Sequence, residues 1–321
     1  MKFGIYFPQG GYGEYRNLDP EETTNRIKAL ASAVDELPFN NLWLYDHMFS
    51  YMNPYFPSFE AWTLLSYLAP ITRNVRLGTL VSSEPFRNPG LLAKIVASLD
   101  VLSGGRMNLG LGAGWEKNEM EAYGFEFVEP PVRVEKLVEA LEVLRLLLDR
   151  SVVRANFVGR HHKLKDALNY PKPVQQHIPV WIGADKPRML RLAAKYSDVV
   201  NLNTDPEGFR TRSDLLAEME DKEGRKIQRS LFTRVVISTT DAKAKELFDS
   251  LLERELQYAT SIRDKSSILK KWIVGGPEEC VEKLEQYEKA GATSAELGFV
   301  CKEFPNQQLL ELFCDKVVSK F

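Results

Sequence analysis

Leu77-Gly78-Thr79-Leu80-Val81-Ser82-Ser83 is an apolar run that ends in hydroxyl side chains, and Met107-Asn108-Leu109-Gly110-Leu111 leads in a similar way into Gly112-Ala113-Gly114-Trp115. Between the two runs, Pro89–Leu102 has the length and the apolar content of a helix. Two parallel strands that a helix joins end at the same edge of a sheet, where parallel barrels carry their sites. Small residues at both strand ends let the backbone approach a flat ligand. The sequence therefore predicts a pocket for a planar cofactor at this edge.

The same alternation of short apolar runs and amphipathic helices extends along the whole chain. Strands are predicted at Lys2–Phe7, Asn41–Tyr45, Val75–Leu80, Arg106–Leu111, Pro179–Gly183, Asp198–Leu202, Thr233–Ser238 and Ala295–Val300. Helices are predicted at Pro20–Leu37, Pro89–Leu102, Val132–Leu148, Pro187–Ala194, Glu207–Glu223, Ala242–Leu256 and Pro277–Ala290. Eight such strands predict an α/β fold, a (β/α)8 TIM barrel with insertions. A chain of 321 residues fits one such domain over residues 1–321.

Three segments exceed this minimal pattern, near residues 48–58, 151–178 and 253–271. The first is rich in aromatic residues and proline, follows the second strand, and would lie over the mouth of the barrel. The second contains a candidate hairpin at Val152–Phe157 and His162–Leu164, and loops of this length are often functional, which suggests a lid. The third mixes charged and polar residues. We interpret all three as insertions in the barrel domain.

Charge, apolar runs and cysteine spacing indicate which partners, which compartment and which metal sites to expect. A formal net charge of −2 gives no electrostatic basis for binding nucleic acid or an anionic membrane. Since we find neither a membrane-spanning apolar run nor a signal-peptide pattern, we expect a cytoplasmic protein. The widely spaced Cys280, Cys301 and Cys314 offer neither a disulfide framework nor a paired metal ligand. Adjacent His161 and His162 would point apart on a strand, so we expect no metal site.

Six motifs occur in an order that resembles the bacterial luciferase-like superfamily of flavin- and deazaflavin-dependent oxidoreductases, and the match covers nearly the whole chain. They are Lys2-Phe3-Gly4-Ile5-Tyr6-Phe7-Pro8, Leu42-Trp43-Leu44-Tyr45-Asp46-His47, Leu77–Pro89, Leu99-Asp100-Val101-Leu102-Ser103-Gly104-Gly105-Arg106, Gly112-Ala113-Gly114-Trp115 and Pro179-Val180-Trp181-Ile182-Gly183. The segments that begin at Asn88 and Gly114 are most similar to the branch that uses the deazaflavin coenzyme F420. The resemblance implies a (β/α)8 barrel with its cofactor at the carboxyl ends of the strands, and hydride chemistry on a small-molecule substrate. We also expect a homodimer and allow for a separate flavin or F420 reductase as a partner.

The resemblance implies a functional role for His47, which follows the second strand. A histidine at the carboxyl end of a strand can donate a hydrogen bond to a carbonyl or act as a general acid near neutral pH. Asp46 either orients His47 or caps the loop that follows. At Leu80, Val81 and Ser83 the family lays backbone under the cofactor ring, and the resemblance further implies a cis peptide bond between Leu80 and Val81.

Gly183-Ala184-Asp185-Lys186-Pro187-Arg188 follows a predicted strand and opens a helix. Exposed N–H groups and the dipole at such a helix terminus make an anion site, to which Lys186 and Arg188 could add positive charge. The resemblance implies that Gly183, Ala184 and the residues after them hold the cofactor phosphate. Asp185 departs from the glycine-rich form of the family, because it places a carboxylate close to that phosphate.

Gly112, Gly114, Trp115 and Asn118 are expected to lie along the edge of the cofactor. Deazaflavin-dependent sugar-phosphate dehydrogenases of the family carry a glutamate where Trp115 stands. The glutamate is the proton donor of those enzymes, and Trp115 cannot take over that role. This departure argues against a sugar phosphate substrate and favours an aromatic wall for an apolar or planar one.

The sequence thus predicts an oxidoreductase that moves a hydride between coenzyme F420 and a small organic substrate. An FMN-dependent luciferase-like monooxygenase is the alternative within the family. Two hypotheses of other classes stay open. A glycosidase could use Asp46, Glu84 and Glu116 in the mouth of the barrel, and a non-catalytic flavin-binding protein could keep the pocket without the chemistry.

Overall fold

Eight parallel strands close into a barrel in the computed structural model, which describes residues 1–50, 53–256, 265–301 and 307–321. In chain order the strands are β1 (Lys2–Tyr6), β2 (Asn41–Leu44), β3 (Arg76–Ser83), β4 (Met107–Gly112), β5 (Ala155–Val158), β6 (Lys163–Ala167), β7 (Val180–Gly183), β8 (Val199–Leu202), β9 (Gln228–Ile237), β10 (Ile273–Gly275) and β11 (Ser294–Phe299). The barrel order is β1-β2-β3-β4-β7-β8-β9-β11, and β11 pairs with β1 to close it. This confirms the predicted (β/α)8 architecture.

Helices surround the barrel. In chain order they are α1 (Pro20–Glu36), α2 (Ala61–Leu68), α3 (Pro89–Leu102), α4 (Lys117–Ala122), α5 (Pro130–Leu148), α6 (Pro187–Tyr196), α7 (Pro206–Glu223), α8 (Asp241–Leu256), α9 (Lys265–Lys271), α10 (Pro277–Lys289) and α11 (Gln307–Lys316). Several begin with proline, whose missing N–H costs nothing in the first turn. Asp19 and Asp205 cap α1 and α7 by accepting backbone hydrogen bonds from Glu22 and Gly208. These local signals explain why most helices begin close to their predicted starts.

Large side chains fill the interior of the barrel because neighbouring strands carry glycine. A Cβ atom at Gly4 would lie 1.7 Å from Oε2 of Glu296, and one at Gly78 would lie 2.5 Å from the ring of Trp43. Trp43 packs edge-on against Trp181, with 4.7 Å between the ring centroids. The interior is therefore a packed layer beneath the barrel mouth.

Glu296 of β11 is fully buried in this layer. Its carboxylate accepts hydrogen bonds from Nε1 of Trp43 at 2.6 Å and from Oγ of Ser230 at 3.2 Å. Ser230 in turn accepts a hydrogen bond from Nδ2 of Asn201, which lines the mouth. Burial raises the pKa of Glu296 to about 7, although these hydrogen bonds oppose the rise.

The upper end of β3 is irregular. Its pairing with β4 shifts register between Thr79 and Ser82, and the Leu80–Val81 peptide bond inside the shift is cis, as the family resemblance implied. A Cβ atom at Gly110 of β4 would lie 2.1 Å from the carbonyl oxygen of Thr79. Glycine at this position therefore permits the close approach of the two strands.

The insertion at residues 151–178 forms a hairpin of β5 and β6 that docks on the outside of the barrel. Glu139 of α5 accepts hydrogen bonds from the backbone N–H groups of Arg160, His161 and His162. His162 also contacts Glu84 at 3.0 Å. None of residues 151–178, all of which the structure describes, lines the cavity at the barrel mouth. The predicted lid is therefore wrong, because hydrogen bonds to α5 hold the hairpin elsewhere.

The other two insertions are described in part. Residues 51–52 of the first and 257–264 of the last lie outside the described residues. The backbone at Pro57 lies against Gly10, and the ring of Phe56 lies against Gly13. The first insertion therefore packs on the loop after β1, which agrees with its expected place near the mouth.

Candidate functional site

A cavity of about 500 Å³ opens at the carboxyl ends of the barrel strands. Its volume lies in the range of pockets for small ligands and cofactors. Most of the predicted site residues line it, namely Asp46, His47, Leu80, Val81, Ser83, Gly112, Gly114, Trp115, Gly183 and Ala184. The fold thus brings together strand ends that are far apart in the sequence.

The wall formed by β3, β4 and β7 is flat because glycine residues flank Val81. A Cβ atom at Gly112 would lie 2.7 Å from a methyl carbon of Val81, and one at Gly114 would lie 2.8 Å from Oγ of Ser83. Gly114 also has a φ of +72°, which favours glycine. The surface that remains is backbone and the side chain of Val81. It suits the face of a planar ring system.

His47 is held by a buried carboxylate. Its Nδ1 lies 2.8 Å from Oε2 of Glu119 on α4, whose side chain is 1% exposed. Oε1 of Glu119 accepts hydrogen bonds from the backbone N–H groups of Met48 at 2.5 Å and Phe49 at 3.3 Å. Because a carboxylate accepts, these contacts assign a proton to Nδ1 of His47. Acid or base chemistry at this ring then falls to Nε2.

Two aromatic rings flank the imidazole of His47. The ring centroids of Trp115 and Tyr45 lie 5.7 and 5.9 Å from that of His47. Both residues line the cavity, and 62% of Trp115 is exposed at its rim. The imidazole is therefore bordered by apolar surface on two sides.

Asp46 does not bond to His47 but to Ser83 and Arg87, and it anchors the loop after β3. Its Oδ2 accepts hydrogen bonds from the backbone N–H of Ser83 at 3.0 Å and from Nη1 of Arg87 at 2.6 Å. Arg87 also pairs with Glu60, the N-cap of α2. Burial raises the pKa of Asp46, and the ion pair with Arg87 opposes that rise. These contacts favour loop anchoring over the catalytic role expected of Asp46, because Glu119 is the carboxylate that orients His47.

The first turn of α6 faces the same cavity. Its N-cap residue, Lys186, makes no side-chain capping hydrogen bond, and the first helical residue is proline. The backbone N–H groups of Arg188 and Met189 in this turn lack intrahelical partners by the geometry of a helix terminus, and Met189 lines the cavity. Asp185 pairs with Nη2 of Arg212 at 2.5 Å, so its negative charge is balanced. The terminus can therefore accept an anion despite that carboxylate.

Three predicted side chains lie outside the cavity wall. Asn118 is exposed on α4, where its backbone N–H is bonded to Glu116. Lys186 is exposed and lies 3.8 Å from Asp185, whereas Arg188 is exposed and lies 3.5 Å from the backbone oxygen of Pro131. The helix turns carry these side chains toward solvent or toward α5, so the structure does not bring them into the cavity wall.

Several residues that line the cavity were missed from the sequence, namely Tyr6, Tyr12, Glu14, Tyr45, Phe232 and Arg234. Phe232 and Arg234 lie on β9, whose alternate residues share one face. The alternation of residues along β9 was visible in the sequence, but the sequence did not show which face of the strand turns toward the cavity. The hydroxyl of Tyr6 donates a hydrogen bond of 2.6 Å to the carbonyl oxygen of Leu80 and so contacts the irregular end of β3.

Residues 1–50, 53–256, 265–301 and 307–321 contain no group of three histidine, cysteine, aspartate or glutamate side chains arranged to hold a metal ion. Within the same ranges, no helix is both long and apolar enough to cross a membrane. Burial raises the pKa of Cys280 and Cys314 to about 12. These two thiols are therefore poor nucleophiles near neutral pH.

The profile of the luciferase-like monooxygenase family matches residues 1–294. The F420-dependent glucose-6-phosphate dehydrogenase of Microbacterium testaceum is 30% identical over 210 residues, a match that covers 64% of this chain but only 61% of that protein. The F420-dependent glucose-6-phosphate dehydrogenase of Amycolatopsis mediterranei is 27% identical over 315 residues, which cover 90% of this chain and 92% of that protein.

Among solved structures, an F420-dependent secondary alcohol dehydrogenase in complex with an F420–acetone adduct resembles this chain with a TM-score of 0.80. The two share 21% sequence identity, and the match covers 99% of each chain. At this identity the likeness supports the fold alone.

Proposed function

This chain belongs to the luciferase-like monooxygenase family, and on that premise we propose that it is an oxidoreductase that transfers a hydride between coenzyme F420 and a small organic substrate. The observation that carries the proposal is the pairing of a flat, glycine-lined wall with His47, whose Nδ1 is held by Glu119. The wall suits a planar ring, and the imidazole places an acid or base beside it. The F420-dependent relatives support the choice of cofactor.

The cavity residues fit such a cofactor. Residues 80–83 of β3 would lie behind the ring, and Gly112 and Gly183 leave the space that it needs. The N–H groups of Arg188 and Met189 would hold its phosphate at the start of α6. When it is bound, the deazaflavin supplies a carbon centre that gives or accepts a hydride.

The chain itself would move the matching proton. When a substrate hydroxyl is oxidised, Nε2 of His47 would take the proton, and in the reverse direction it would return it. Glu119 keeps the ring in the tautomer that carries its proton on Nδ1. Trp115 and Tyr45 flank the ring on two sides.

FMN in a luciferase-like monooxygenase is the second candidate, since the family profile is that of monooxygenases and the wall around His47 is aromatic. The glycosidase hypothesis loses support because Asp46 pairs with Arg87 and Glu84 does not line the cavity. A non-catalytic flavin-binding role loses support because His47 faces an open cavity beside the flat wall.

We also propose a homodimer as the assembly of this protein. A homodimer is supported by the resemblance and by exposed apolar side chains on and after the β5–β6 hairpin, including Val158, Leu168, Tyr170 and Val174. A separate reductase would supply reduced cofactor if the FMN alternative holds. A cytoplasmic location stays a prediction.

Separate titrations of the purified protein with F420, FMN and NADPH test the proposal, each followed by the change in cofactor fluorescence. We expect F420 or FMN to bind and NADPH alone to bind weakly. The reason is that the start of α6 offers N–H groups for a single phosphate, and no GxGxxG turn follows β1 to hold a dinucleotide pyrophosphate. Tight binding of NADPH without affinity for either flavin-type cofactor would contradict the proposal.

A further inference from the structure

Asn201 of β8 borders the flat wall of β3, β4 and β7. It pairs in register with Gly183 of β7, and a Cβ atom at Gly183 would lie 3.5 Å from the methyl groups of Val81. In the barrel, β8 stands between β7 and β9, so Asn201 lies between the flat wall and the wall of β9, β11 and β1 on the opposite side. A planar ring that lies against Val81 would therefore have one edge toward Asn201.

The side chain of Asn201 faces the interior of the barrel. Val199, two residues earlier on the same strand, packs in a buried cluster with Trp43 and Trp181, and alternate residues of a strand share one face. Asn201 is the next residue on this face toward the mouth, where it lines the cavity. The residue is only 9% exposed, and a buried amide costs free energy unless its polar atoms are hydrogen-bonded.

A chain of hydrogen bonds fixes the orientation of the Asn201 amide. Oγ of Ser230 donates to Oε1 of Glu296 at 3.2 Å, and Nε1 of Trp43 donates to the other carboxylate oxygen at 2.6 Å. A hydroxyl has one proton, so Ser230 accepts the bond of 3.1 Å that joins it to Asn201, and the donor in that bond is Nδ2. The buried carboxylate thus determines, through one hydroxyl group, which end of the amide points into the barrel.

Oδ1 of Asn201 is the polar atom that remains for a ligand. Within residues 1–50, 53–256, 265–301 and 307–321, the side chain of Asn201 makes one hydrogen bond, the one from Nδ2 to Ser230. Because Nδ2 is bonded inside the barrel and the residue lines the cavity, the amide oxygen is left to the cavity side. An amide oxygen accepts hydrogen bonds. This position therefore favours a ligand that presents an N–H or O–H group.

We propose that Asn201 binds the edge of the cofactor ring by accepting, at Oδ1, a hydrogen bond from the ring N–H, and that Ser230 and Glu296 are positioning residues that hold the amide in this orientation. The rings of F420 and FMN both carry such an N–H, at N3 between two carbonyl groups, and an acceptor is its complement. The proposal rests on the proposed function, because it assumes that the flat wall holds the ring. It adds which edge of the ring faces β8.

Calorimetric titrations with matched cofactors test this contact. F420, FMN and the derivative of each that carries a methyl group on N3 are titrated separately into the protein. The titrations are run at pH 8, above the pKa of about 7 of Glu296, so that its carboxylate only accepts hydrogen bonds. For each cofactor that the wild type binds, we expect the methyl group to raise the Kd at least about tenfold, because it removes the donor.

Asn201→Ala assigns the effect to the amide. It should raise the Kd of the unmethylated cofactor about 5- to 50-fold, because the ring N–H then loses its acceptor. In this variant, methylation of N3 should change the Kd by less than about threefold. Asn201→Leu keeps the size of the side chain without the amide and should show the same loss for the unmethylated cofactor. Circular dichroism melting confirms that each variant is folded.

Ser230→Ala tests the positioning role. Without the hydroxyl, the amide can turn either end toward the cavity, so the Kd of the unmethylated cofactor should rise about 3- to 10-fold and the effect of N3 methylation should shrink. Ser213→Ala is the matched control, because Ser213 is buried on α7 and its hydroxyl has no hydrogen-bond partner in the described part of the chain. It should bind each cofactor like the wild type.

The outcomes separate this contact from the proposed function. Equal Kd values for the methylated and unmethylated cofactors in the wild type would overturn the contact, and so would an effect of methylation that persists in Asn201→Ala. Equal behaviour of Ser230→Ala and Ser213→Ala would overturn the positioning role. If the wild type binds neither F420 nor FMN, the proposed function fails together with this contact, whereas binding without an effect of methylation overturns the contact alone.

Discussion

Nδ1 of His47 lies 2.8 Å from Oε2 of Glu119, although the two residues follow different strands, β2 and β4. The carboxylate of Glu119 is buried, and it also accepts a hydrogen bond from the backbone N–H of Met48. Glu119 therefore fixes both the ring and the loop that carries it. This pair is the basis on which we propose proton transfer at the site.

Loss of either member of the pair should slow turnover. His47→Ala should lower turnover of an accepted substrate by about 10²–10⁴-fold, the usual contribution of a positioned acid or base. Glu119→Gln presents an amide N–H to Nδ1 and so favours the tautomer that carries its proton on Nε2. We expect it to slow the direction that needs a base by at least about tenfold, measured as the steady-state rate of F420 reduction.

Glu121→Gln is the matched control on the same helix, because Glu121 is exposed and pairs only with Lys117 in the described structure. Its turnover should equal that of the wild type, and the F420 affinity of His47→Ala should stay within about threefold. If His47→Ala and Glu119→Gln both turn over substrate at the wild-type rate, the two residues have only a structural role.

Asp46→Asn should affect stability more than turnover. The substitution keeps an oxygen for the Ser83 N–H but removes the negative charge beside Arg87. We expect the free energy of unfolding in urea to fall by about 1–3 kcal/mol, with saturated turnover of the folded protein within about threefold. A loss of turnover as large as that of His47→Ala, with unchanged stability, would restore Asp46 as a catalytic residue.

Gly183→Ala probes the flat wall without disturbing the fold. The added Cβ would meet the methyl groups of Val81 at 3.5 Å, which is ordinary contact. We therefore expect the free energy of unfolding to change by less than about 0.5 kcal/mol, while the Kd for F420 rises at least about tenfold.

Gly298→Ala serves as the control for that variant, because its Cβ would also make ordinary contacts but lies on the opposite wall. Its F420 affinity should match that of the wild type. Equal losses in Gly183→Ala and Gly298→Ala would mean that the cofactor does not distinguish the two walls.

Glu296 should make stability depend on pH near neutrality. Burial raises its pKa to about 7, so the folded protein binds this proton more tightly than the unfolded chain does. This contribution is fully present below the ordinary carboxyl pKa and is lost as the pH rises through 7. Between pH 6 and pH 8, the free energy of unfolding should fall by about 1 kcal/mol more in the wild type than in Glu296→Gln.

Glu282→Gln, at an exposed position of α10, should follow the wild-type pH profile. Unfolding in urea at several pH values provides the measurement. Parallel profiles for the wild type and Glu296→Gln would show that the carboxyl group titrates outside this range.

The fold was predictable because its signals are local. Apolar runs mark the eight barrel strands, and proline or aspartate marks the starts of several helices. The elements that were missed are short or lie outside the repeat, namely α4, α9, β10 and α11. A helix of six residues, as in α4, offers too little periodicity to detect. The assignment of residues 1–321 to one domain stays a prediction.

The site was predictable only in part, because its contacts join distant strands. Positions at or just after the ends of strands, such as Gly112 and His47, were found because the barrel fixes where they lie. The contact of Glu119 with His47 depends on the path of α4. The position of Arg234 in the cavity wall depends on which face of β9 turns inward. Lys186 lies outside the cavity wall for a related reason, since one helical turn separates a cavity position from an exposed one.

The position of the cofactor is the central claim, and a crystal structure of the F420 complex measures it most directly. We predict that the deazaflavin ring lies against Val81 on the wall of β3, β4 and β7, with its reactive carbon on the same side as Nε2 of His47 and its phosphate at the start of α6. A ring bound outside the cavity, or bound within it with the reactive face against the wall, would contradict the account.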